Sequence, residues 1–356
     1  MIDATYNFYQ PRHQLRILLQ LLLPLVVLIL LNNIQETYCD LATFEVNPRH
    51  NDNSNNIPAS ILNRNQQMNY LDVLLADQSK RGKIFDRTVS GLKDPVDVLA
   101  VSDCSQNNPD SISSTLSYIF VSQFMSNQVL KISPYGVSTL FAKGVYCSDR
   151  TKPCSVLDGP WGLEHFENKL FVSSFSSDQI LVFNITTGGY IYGFGNSVEL
   201  NCPEGMTLGG DGYLYVVSYL NNEIVRYNPV TYEYVDVIVK AGTTSGPEDV
   251  IYLHSNNYNY LIVTSHWSNS ILIYNASTTI SSGRNNDTSG FELLHEYGPN
   301  QIGHSLMQGP VGLLKYDESN VLVSLQGDVN KILKINIENG KNEIFAEYQY
   351  MKGPSG

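Results

Sequence analysis

Short runs of alternating apolar and polar residues follow one another from about residue 70 onwards, and Gly, Asn, Asp or Ser separates each run from the next. Alternation with a period of two is typical of half-buried β-strands, and these residue types form the turns between strands. Beyond the N-terminal apolar segment no stretch has the 3.6-residue period of a helix. The pattern therefore predicts an all-β fold.

The predicted strands recur as a repeat, and its clearest copy runs from Asp158 to Phe183. Each copy begins with Pro-x-x-apolar, continues through an alternating strand and a polar turn, and ends in a second strand. The starts are Pro95, Pro160, Pro203, Pro247 and Pro310. In the third copy the pattern predicts strands over Tyr213 to Val217, Ile224 to Asn228 and Tyr232 to Ile238.

Four antiparallel strands per unit is the plan of a β-propeller blade. Leu71–Asp86 and Thr88–Leu92 supply the middle and outer strands of a further unit without an inner strand, and Pro354 begins an inner strand near the last residue. In a closed ring the first and last repeats share a blade, which removes free sheet edges. We therefore expect a six-bladed propeller over residues 70–356, closed by N- and C-terminal strands in one blade that is truncated at Gly356.

The N-terminus has the pattern of a targeting segment. Arg12 and Arg16 precede an apolar run from Ile17 to Leu31, which is shorter than the roughly 20 residues that span a bilayer. Residues 1–39 are thus predicted to be a cleaved signal peptide, with an uncleaved signal anchor as the alternative. Residues 40–69 are polar and Asn-rich, which predicts a disordered linker. Either reading places the repeats outside the cytosol, as a secreted, extracellular or lumenal protein or as a single-pass membrane protein.

Cysteines and sequons agree with export. Four cysteines lie beyond the leader, and an even number suits an oxidising compartment. We expect a local disulfide between Cys147 and Cys154, which flank a polar insert, and a second between Cys104 and Cys202; four reduced thiols are the alternative. Three sequons predict N-glycosylation: Asn184, Asn275 and Asn286.

Charge restricts the partners. The formal net charge is -12, from 22 basic and 34 acidic residues, and no basic run occurs. A nucleic-acid surface needs clustered Lys and Arg, so nucleic acid is not an expected partner. A membrane is expected only through an uncleaved N-terminal anchor.

One alignment column is aromatic. Four copies align without a gap, and an apolar residue follows the column five positions later in each. The column contains Phe124, Phe175, Tyr219 and His266. Such residues pack between blades as core or form a recognition patch on one face of the ring. We expect the column to be mainly core, and the candidate binding surface to consist of Trp267, His266 and Tyr219.

The motifs GPWGL, LFVSSF and SDQILVFN resemble the NHL repeat and a wider group of six-bladed propellers. That group includes the gluconolactonase, strictosidine-synthase-like and paraoxonase families. The resemblance covers roughly residues 71–356 and is specific for architecture rather than chemistry. NHL-type propellers are mostly interaction platforms, so the resemblance implies an extracellular binding module for a protein or glycan.

The enzymatic members of that group hold a metal where inner strands meet the central channel. PEGM at Pro203 resembles the metal strand of gluconolactonases, with Glu in place of Asp, and PEDV at Pro247 resembles an acidic paraoxonase motif. By this resemblance the candidate calcium ligands are Glu204, Glu248, Asp249 and Asp97, and the chain is alternatively a calcium-dependent hydrolase or lactonase. The matching asparagines are absent at Pro160 and Pro310, so these acids alternatively cap loop backbone amides or face the solvated central channel. No GxSxG or HExxH motif is present, and no catalytic residue is assigned.

Overall fold

The computed structural model describes residues 95–102, 116–133, 137–146, 155–255, 258–280, 290–303, 306–326 and 331–347. These residues form five antiparallel sheets, and the strand order within each sheet follows the order in the chain. The fold is a β-propeller in which each sheet is one blade.

Blades 1 and 2 come first in the chain. Blade 1 contains β1 to β5: Pro95–Ser102, Leu116–Gln123, Gln128–Ile132, Ser138–Tyr146 and Ser155–Leu157. Blade 2 contains β6 to β9: Pro160–Phe166, Lys169–Ser174, Gln179–Asn184 and Tyr190–Phe194. The fifth strand of blade 1 was not predicted, because its three residues are too few to show a period; it pairs with the end of β4.

Blades 3 to 5 have four strands each. Blade 3 contains β10 to β13: Pro203–Leu208, Leu214–Ser218, Glu223–Tyr227 and Tyr234–Val239. Blade 4 contains β14 to β17: Pro247–Ser255, Tyr258–Ser265, Ser270–Ile280 and Gly290–Tyr297. Blade 5 contains β18 to β21: Pro310–Lys315, Asn320–Leu325, Lys331–Asn336 and Asn342–Glu347. The strands predicted for the third copy are confirmed to within two residues.

Every Pro-x-x-apolar start forms the inner strand of a blade, and the strand is bulged at the two middle positions. In blade 3, Pro203 pairs with Ser218 and Met206 with Val216, with a shift of register between them. The same shift follows the proline in the other four blades. Proline is tolerated there because the inner strand is a sheet edge. The bulge re-aims the two middle side chains, which is what makes these positions candidates for a site.

The core lies between neighbouring blades. Between blades 2 and 3, Phe171 and Ile180 pack in one buried cluster with Val216 and Tyr227. Comparable clusters join blades 1 and 2, blades 3 and 4, and blades 4 and 5. Burying a large apolar side chain contributes about 1.5–3 kcal/mol to stability. The apolar residues of the alternating strands are therefore the main source of the packing energy between blades.

The described residues form five blades, not the predicted six. Each of the five Pro-x-x-apolar starts gives one blade from a continuous segment, whereas the sixth was expected from segments at opposite ends of the chain. Leu71–Leu92 and Pro354 lie outside the described residues, so the predicted closure does too. The predicted leader and linker also lie outside them.

Helices are scarce in the described part of the chain. One helical turn, α1 (Pro299–Ile302), follows blade 4, and a 3-10 turn occupies Phe175–Ser177. Within the ranges given above, no helix is long and apolar enough to cross a membrane.

Candidate functional site

The turns between the second and third strands of the blades lie on one face of the ring, together with the residue pairs that precede each inner-strand proline. We call this surface the hairpin rim. It comprises residues 124–127, 175–178, 219–222, 266–269 and 326, with the pre-proline pairs 158–159, 201–202, 245–246 and 308–309. Hydrogen bonds within and between blades bring these segments together.

In blades 1 to 4, the last residue of the turn joins its blade to the next by a hydrogen bond. It has a positive φ of 52° to 56°, a conformation that Asn and Asp tolerate better than most residues. Its side-chain oxygen accepts a hydrogen bond from the N–H of the residue before the next inner-strand proline. The four pairs are Asn127 with Gly159 at 2.9 Å, Asp178 with Cys202 at 2.8 Å, Asn222 with Gly246 at 2.7 Å and Asn269 with Gly309 at 2.7 Å.

In blades 2, 3 and 4, a second set of hydrogen bonds holds the turn to the pre-proline pair of its own blade. In blade 4, His266 N donates to Gly246 O at 2.9 Å and Trp267 N donates to Ser245 O at 3.0 Å. Ser265 Oγ accepts from Ser245 N at 2.8 Å. Blades 2 and 3 repeat this arrangement. The backbone of the rim is thus a regular, hydrogen-bonded frame that sets the direction of its side chains.

The aromatic column is core for three of its four members, as expected. Phe124, Phe175 and Tyr219 are at most 9% exposed. Ring centroids are 5.6 Å apart between Phe124 and Phe175, and 6.3 Å apart between Phe175 and Tyr219. Tyr219 therefore lies beneath the rim surface, and His266 is partly exposed.

The position directly after the column carries the exposed side chains. Met125 is 59% exposed, Leu220 is 52% exposed and Trp267 is 51% exposed, while Ser176 stands at the equivalent place in blade 2. The sequence already places Met125, Leu220 and Trp267 directly after the column, in the hairpins on one face of the ring. Of these three, the candidate surface named from the sequence included Trp267.

The first middle position of the inner strand holds Val96, Trp161, Glu204, Glu248 and Val311 in blades 1 to 5. In blades 2 and 4 the side chain at this position contacts a residue of the aromatic column. Trp161 packs on Phe124 with ring centroids 5.4 Å apart. Glu204 is fully buried and Glu248 is 5% exposed. Glu248 Oε1 lies 3.2 Å from Nδ1 of His266, a contact that becomes an ion pair when the imidazole is protonated. The first middle position is thus aromatic in blade 2 and acidic in blades 3 and 4.

The second middle position carries Asp97 and Asp249, which join inner strands. Asp97 accepts hydrogen bonds from Val98 N and, in the next blade, from Leu163 N, both at 2.7 Å. Asp249 accepts from Val250 N at 2.8 Å and from Leu313 N at 2.7 Å. Both carboxylates therefore cap backbone amides, the alternative role considered for them.

A third carboxylate of this kind was not predicted. Glu164 accepts from His165 N at 2.7 Å and from Leu208 N in blade 3 at 2.9 Å. It follows the Pro-x-x-apolar motif directly, so its position relative to that motif was the only signal for it. With Asp97 and Asp249 it links consecutive inner strands around the ring.

Hydroxyl groups reinforce the same junctions. Ser122 Oγ donates to Trp161 O at 2.6 Å, Ser173 Oγ donates to Glu204 O at 2.7 Å, and Thr264 Oγ1 donates to Val311 O at 2.9 Å. Each hydroxyl lies on a second strand and contacts the inner strand of the following blade. The middle positions of the inner strands are thereby held by their neighbours on both sides.

Burial perturbs the two aspartates. Loss of hydration raises the pKa of Asp97 to about 6, and the hydrogen bonds from Leu163 and Val98 offset part of this rise. The pKa of Asp249 is raised well above its ordinary value by burial first and by the negative charge of Asp97 second. The two carboxylates thus repel each other across the inner strands.

The described residues do not fit the calcium site that the resemblance implied. Calcium takes six to eight oxygen ligands, but within the described ranges no three or more His, Cys, Asp or Glu side chains converge on one point. Asp97 and Asp249 each use both carboxylate oxygens on backbone amides. The metal-ligand roles of Glu204, Glu248, Asp249 and Asp97 stay predictions, and no catalytic step is derived from them.

The structure describes only some of the residues that were predicted to form disulfides or carry glycans. Cys202 has a φ of 51° where blades 2, 4 and 5 have Gly, while Cys104, Cys147 and Cys154 lie outside the described residues, so both disulfides stay predictions. Asn184 ends β8 and Asn275 lies within β16. Both are partly exposed; Asn286 lies outside the described residues.

No protein-family model matches the chain, and no curated protein matches it. Several solved structures are similar in fold. Virginiamycin B lyase from Staphylococcus aureus is 17% identical over 65% of this chain and 67% of that chain, with a TM-score of 0.45. A streptogramin B lyase is 15% identical over 71% of this chain and 88% of that chain, with a TM-score of 0.43. A chain of a nidogen/laminin complex is 13% identical over 64% of this chain and 75% of that chain, with a TM-score of 0.45.

Similarity at this level carries no argument about function. The class of the protein, a β-propeller whose described antiparallel blades have four or five strands, rests on its own sheet topology. Any more particular description of the protein has to come from its site.

Proposed function

We propose that the protein is a binding module that docks a protein partner on the hairpin rim. The observation that carries this proposal is the exposure of Met125, Leu220 and Trp267 at equivalent positions of three blades. Exposed large apolar residues grouped on one surface are typical of interaction sites, and Trp is among the residues that most often dominate binding energy.

The rim frame supports this function physically. Because hydrogen bonds fix the turn backbones in blades 2, 3 and 4, little backbone freedom remains to be lost when a partner binds. Association then costs less conformational entropy, which favours affinity. Exposed Met and Leu side chains favour a protein partner over a glycan, because sugars gain affinity mainly from aromatic faces and polar groups.

A matched set of variants tests the proposal. Ser176 shows that serine is compatible with the frame, so the triple variant Met125→Ser, Leu220→Ser, Trp267→Ser removes apolar surface without changing the turns. The probe is a phage-displayed random peptide library, panned on the purified protein. We expect selected peptides to lose at least about tenfold in affinity for the triple variant, since hot-spot residues contribute 2 kcal/mol or more.

The control is Leu140→Ser, a change on the outer strand β4 at a residue that is 59% exposed; it is expected to bind like the unmodified protein. Equal binding of the selected peptides to the triple variant would overturn the proposal, as would selection of glycans but no peptides from a parallel glycan array. A calcium-dependent rise in melting temperature, abolished by Glu204→Gln and Glu248→Gln, would instead support the alternative of a calcium-dependent hydrolase.

We also propose that the propeller is exported and that a sixth blade completes it. The leader, the even cysteine count and the sequons support export. Ser324 supports the sixth blade: it matches the hydroxyl residues that contact the next inner strand in blades 1, 2 and 4, and it holds Gly312 N at 2.9 Å in the same way. In the sequence, Gly353-Pro354 repeats the pre-proline pattern of blades 2, 4 and 5.

A further inference from the structure

We propose that the hairpin rim recognises a basic segment of its partner, with a Lys or Arg side chain lying on the exposed face of Trp267. This inference rests on the proposed function and specifies the chemistry of the partner. It follows from the charge of the rim, the orientation of Trp267 and the carboxylate of Glu248 beneath it.

The described part of the rim carries negative charge only. Its turns and pre-proline pairs contain Asp158 and Asp178 and no Lys or Arg. Glu248, on the inner strand of blade 4, contacts His266 of the rim from beneath. The other titratable side chains of the described rim are those of His266, Tyr219 and Cys202. Complementary charge selects partners and speeds association, so a rim of this composition favours a basic segment and disfavours an acidic one.

Trp267 presents one face of its indole outward. A Cβ atom added to Gly246 would lie 3.1 Å from Cδ1 and Cγ of Trp267, so one face of the ring covers that glycine. Tyr219 approaches with its ring plane at 88° and its centroid 6.0 Å away. Half of the residue is nevertheless exposed, and the face opposite Gly246 is available to a ligand. A cation on the face of Trp contributes about 0.5–2 kcal/mol, more than on Tyr or Phe.

Glu248 strengthens this position for a cation. Its side chain is 7% exposed and contacts His266, the residue directly before Trp267. A neutral imidazole leaves the carboxylate charge in place. Because the surroundings are largely protein, that charge is less screened than one in water. A basic side chain at Trp267 would therefore be attracted by the ring and by the carboxylate of Glu248.

The apolar neighbours indicate a peptide rather than a free amine. Leu220 and Met125 extend the exposed surface from blade 4 to blades 3 and 1. A small amine would contact Trp267 without using them, whereas a peptide with a basic residue flanked by apolar residues would use all three. The partner that fits is thus a basic, apolar-flanked segment of a protein.

The test compares each selected peptide with a form in which its basic residue is replaced by an uncharged one. We expect Lys and Arg to be enriched among them, and replacement of the basic residue by Gln to weaken binding about tenfold. Glu248→Gln should weaken binding of the basic peptide by a similar factor and leave binding of the Gln-substituted peptide unaffected. Trp267→Leu should weaken binding of the basic peptide more than binding of the Gln-substituted peptide. Glu318→Gln, which removes an exposed carboxylate outside the rim, is the matched control and should change nothing.

Salt dependence keeps the test valid if Glu248→Gln does not fold. Raising the salt concentration from about 0.05 M to about 0.5 M should weaken binding of the basic peptide but not binding of its Gln-substituted form. Peptides that lose affinity for the triple Ser variant but show no enrichment of Lys or Arg would refute this inference and leave the proposed function standing. Binding of cadaverine as tight as that of the peptides would refute the assignment to a protein segment.

Discussion

At the scale of single residues, the Asn or Asp that ends the turn in blades 1 to 4 accounts for much of the rim geometry. Asn222 combines a φ of 56° with a hydrogen bond from Gly246 N to its Oδ1. The residue thus performs two functions: it tolerates the left-handed conformation, and it satisfies an amide at the junction of two blades. Few residue types do both, which explains why the equivalent positions in blades 1, 2 and 4 hold Asn or Asp.

Substitutions of Asn222 separate the two functions. We expect Asn222→Gly, which keeps the conformation and loses the hydrogen bond, to lower the free energy of unfolding by about 1 kcal/mol. Asn222→Ala should lower it by about 2 kcal/mol or more, because a non-glycine residue without a polar side chain adds about 1 kcal/mol of backbone strain. Chemical denaturation measures both differences.

Asn222→Asp is the control for this series. Asp178 makes the same hydrogen bond in blade 2, so Asp at position 222 should cost little. If the Gly and Ala variants were equally stable, the strain component of this account would be wrong.

At the scale of elements, the inner strands are joined by buried carboxylates, and this has a consequence for pH. The pKa of Asp97 is raised to about 6 in the folded protein from 3.8. Between these two values the folded state holds the proton more tightly than the unfolded state. Folding is therefore favoured at acidic pH, and the stabilisation is lost as the pH rises through about 6. The raised pKa of Asp249 acts in the same direction.

Replacing Asp97 by Asn removes this titration. We expect the Asp97→Asn variant to have a smaller fall in melting temperature between about pH 4 and about pH 7 than the unmodified protein. Asn keeps only one acceptor oxygen, so the variant loses one of the two hydrogen bonds from backbone amides at every pH; the slope of melting temperature against pH, rather than its value at one pH, therefore reports the titration of Asp97. Thermal unfolding followed by circular dichroism measures it.

Glu318→Gln is again the comparison, because Glu318 is exposed; its pH profile should match that of the unmodified protein. Identical pH profiles of the Asp97→Asn variant and the unmodified protein would show that Asp97 does not titrate differently in the folded and unfolded states.

At the scale of the whole molecule, the proposed sixth blade gives a prediction for the intact protein. If Leu71–Asp86 and Thr88–Leu92 are strands of that blade, their amides should be protected from hydrogen exchange nearly as strongly as those of β7 and β11. Cross-strand hydrogen bonds that open only with the blade produce such protection. Hydrogen exchange followed by mass spectrometry measures it peptide by peptide.

Residues 40–69 are the internal reference, since their composition predicts rapid exchange. Rapid exchange throughout Leu71–Leu92 as well would contradict the sixth blade, and the propeller would then consist of the five observed blades.

Much of this molecule could be predicted because its repeats are local. Alternation, turn residues and the Pro-x-x-apolar motif each act over a few residues, and they correctly predicted the all-β class, the four-stranded unit and the position of the inner strands. The core role of Phe124 and Phe175 was predicted as well, because repeats that stack must place the same column in the same environment.

The site depended on contacts that are remote in sequence. Asp97 is 66 residues from Leu163, and Asp249 is 64 residues from Leu313. Only the packing of one blade on the next brings these groups together. The resemblance marked both aspartates as metal ligands, but the structure uses their oxygens on backbone amides, because a bulge turns the second middle position toward the neighbouring strand.

The sequence by itself therefore determined the strands, the repeat unit and the apolar faces, since these follow from side-chain alternation and turn chemistry within one segment. Only the tertiary structure decided which carboxylates cap amides, which residue after the aromatic column is exposed, and how many blades the described segments form. Those outcomes depend on how twisted sheets pack against each other, and that packing is a property of several segments at once.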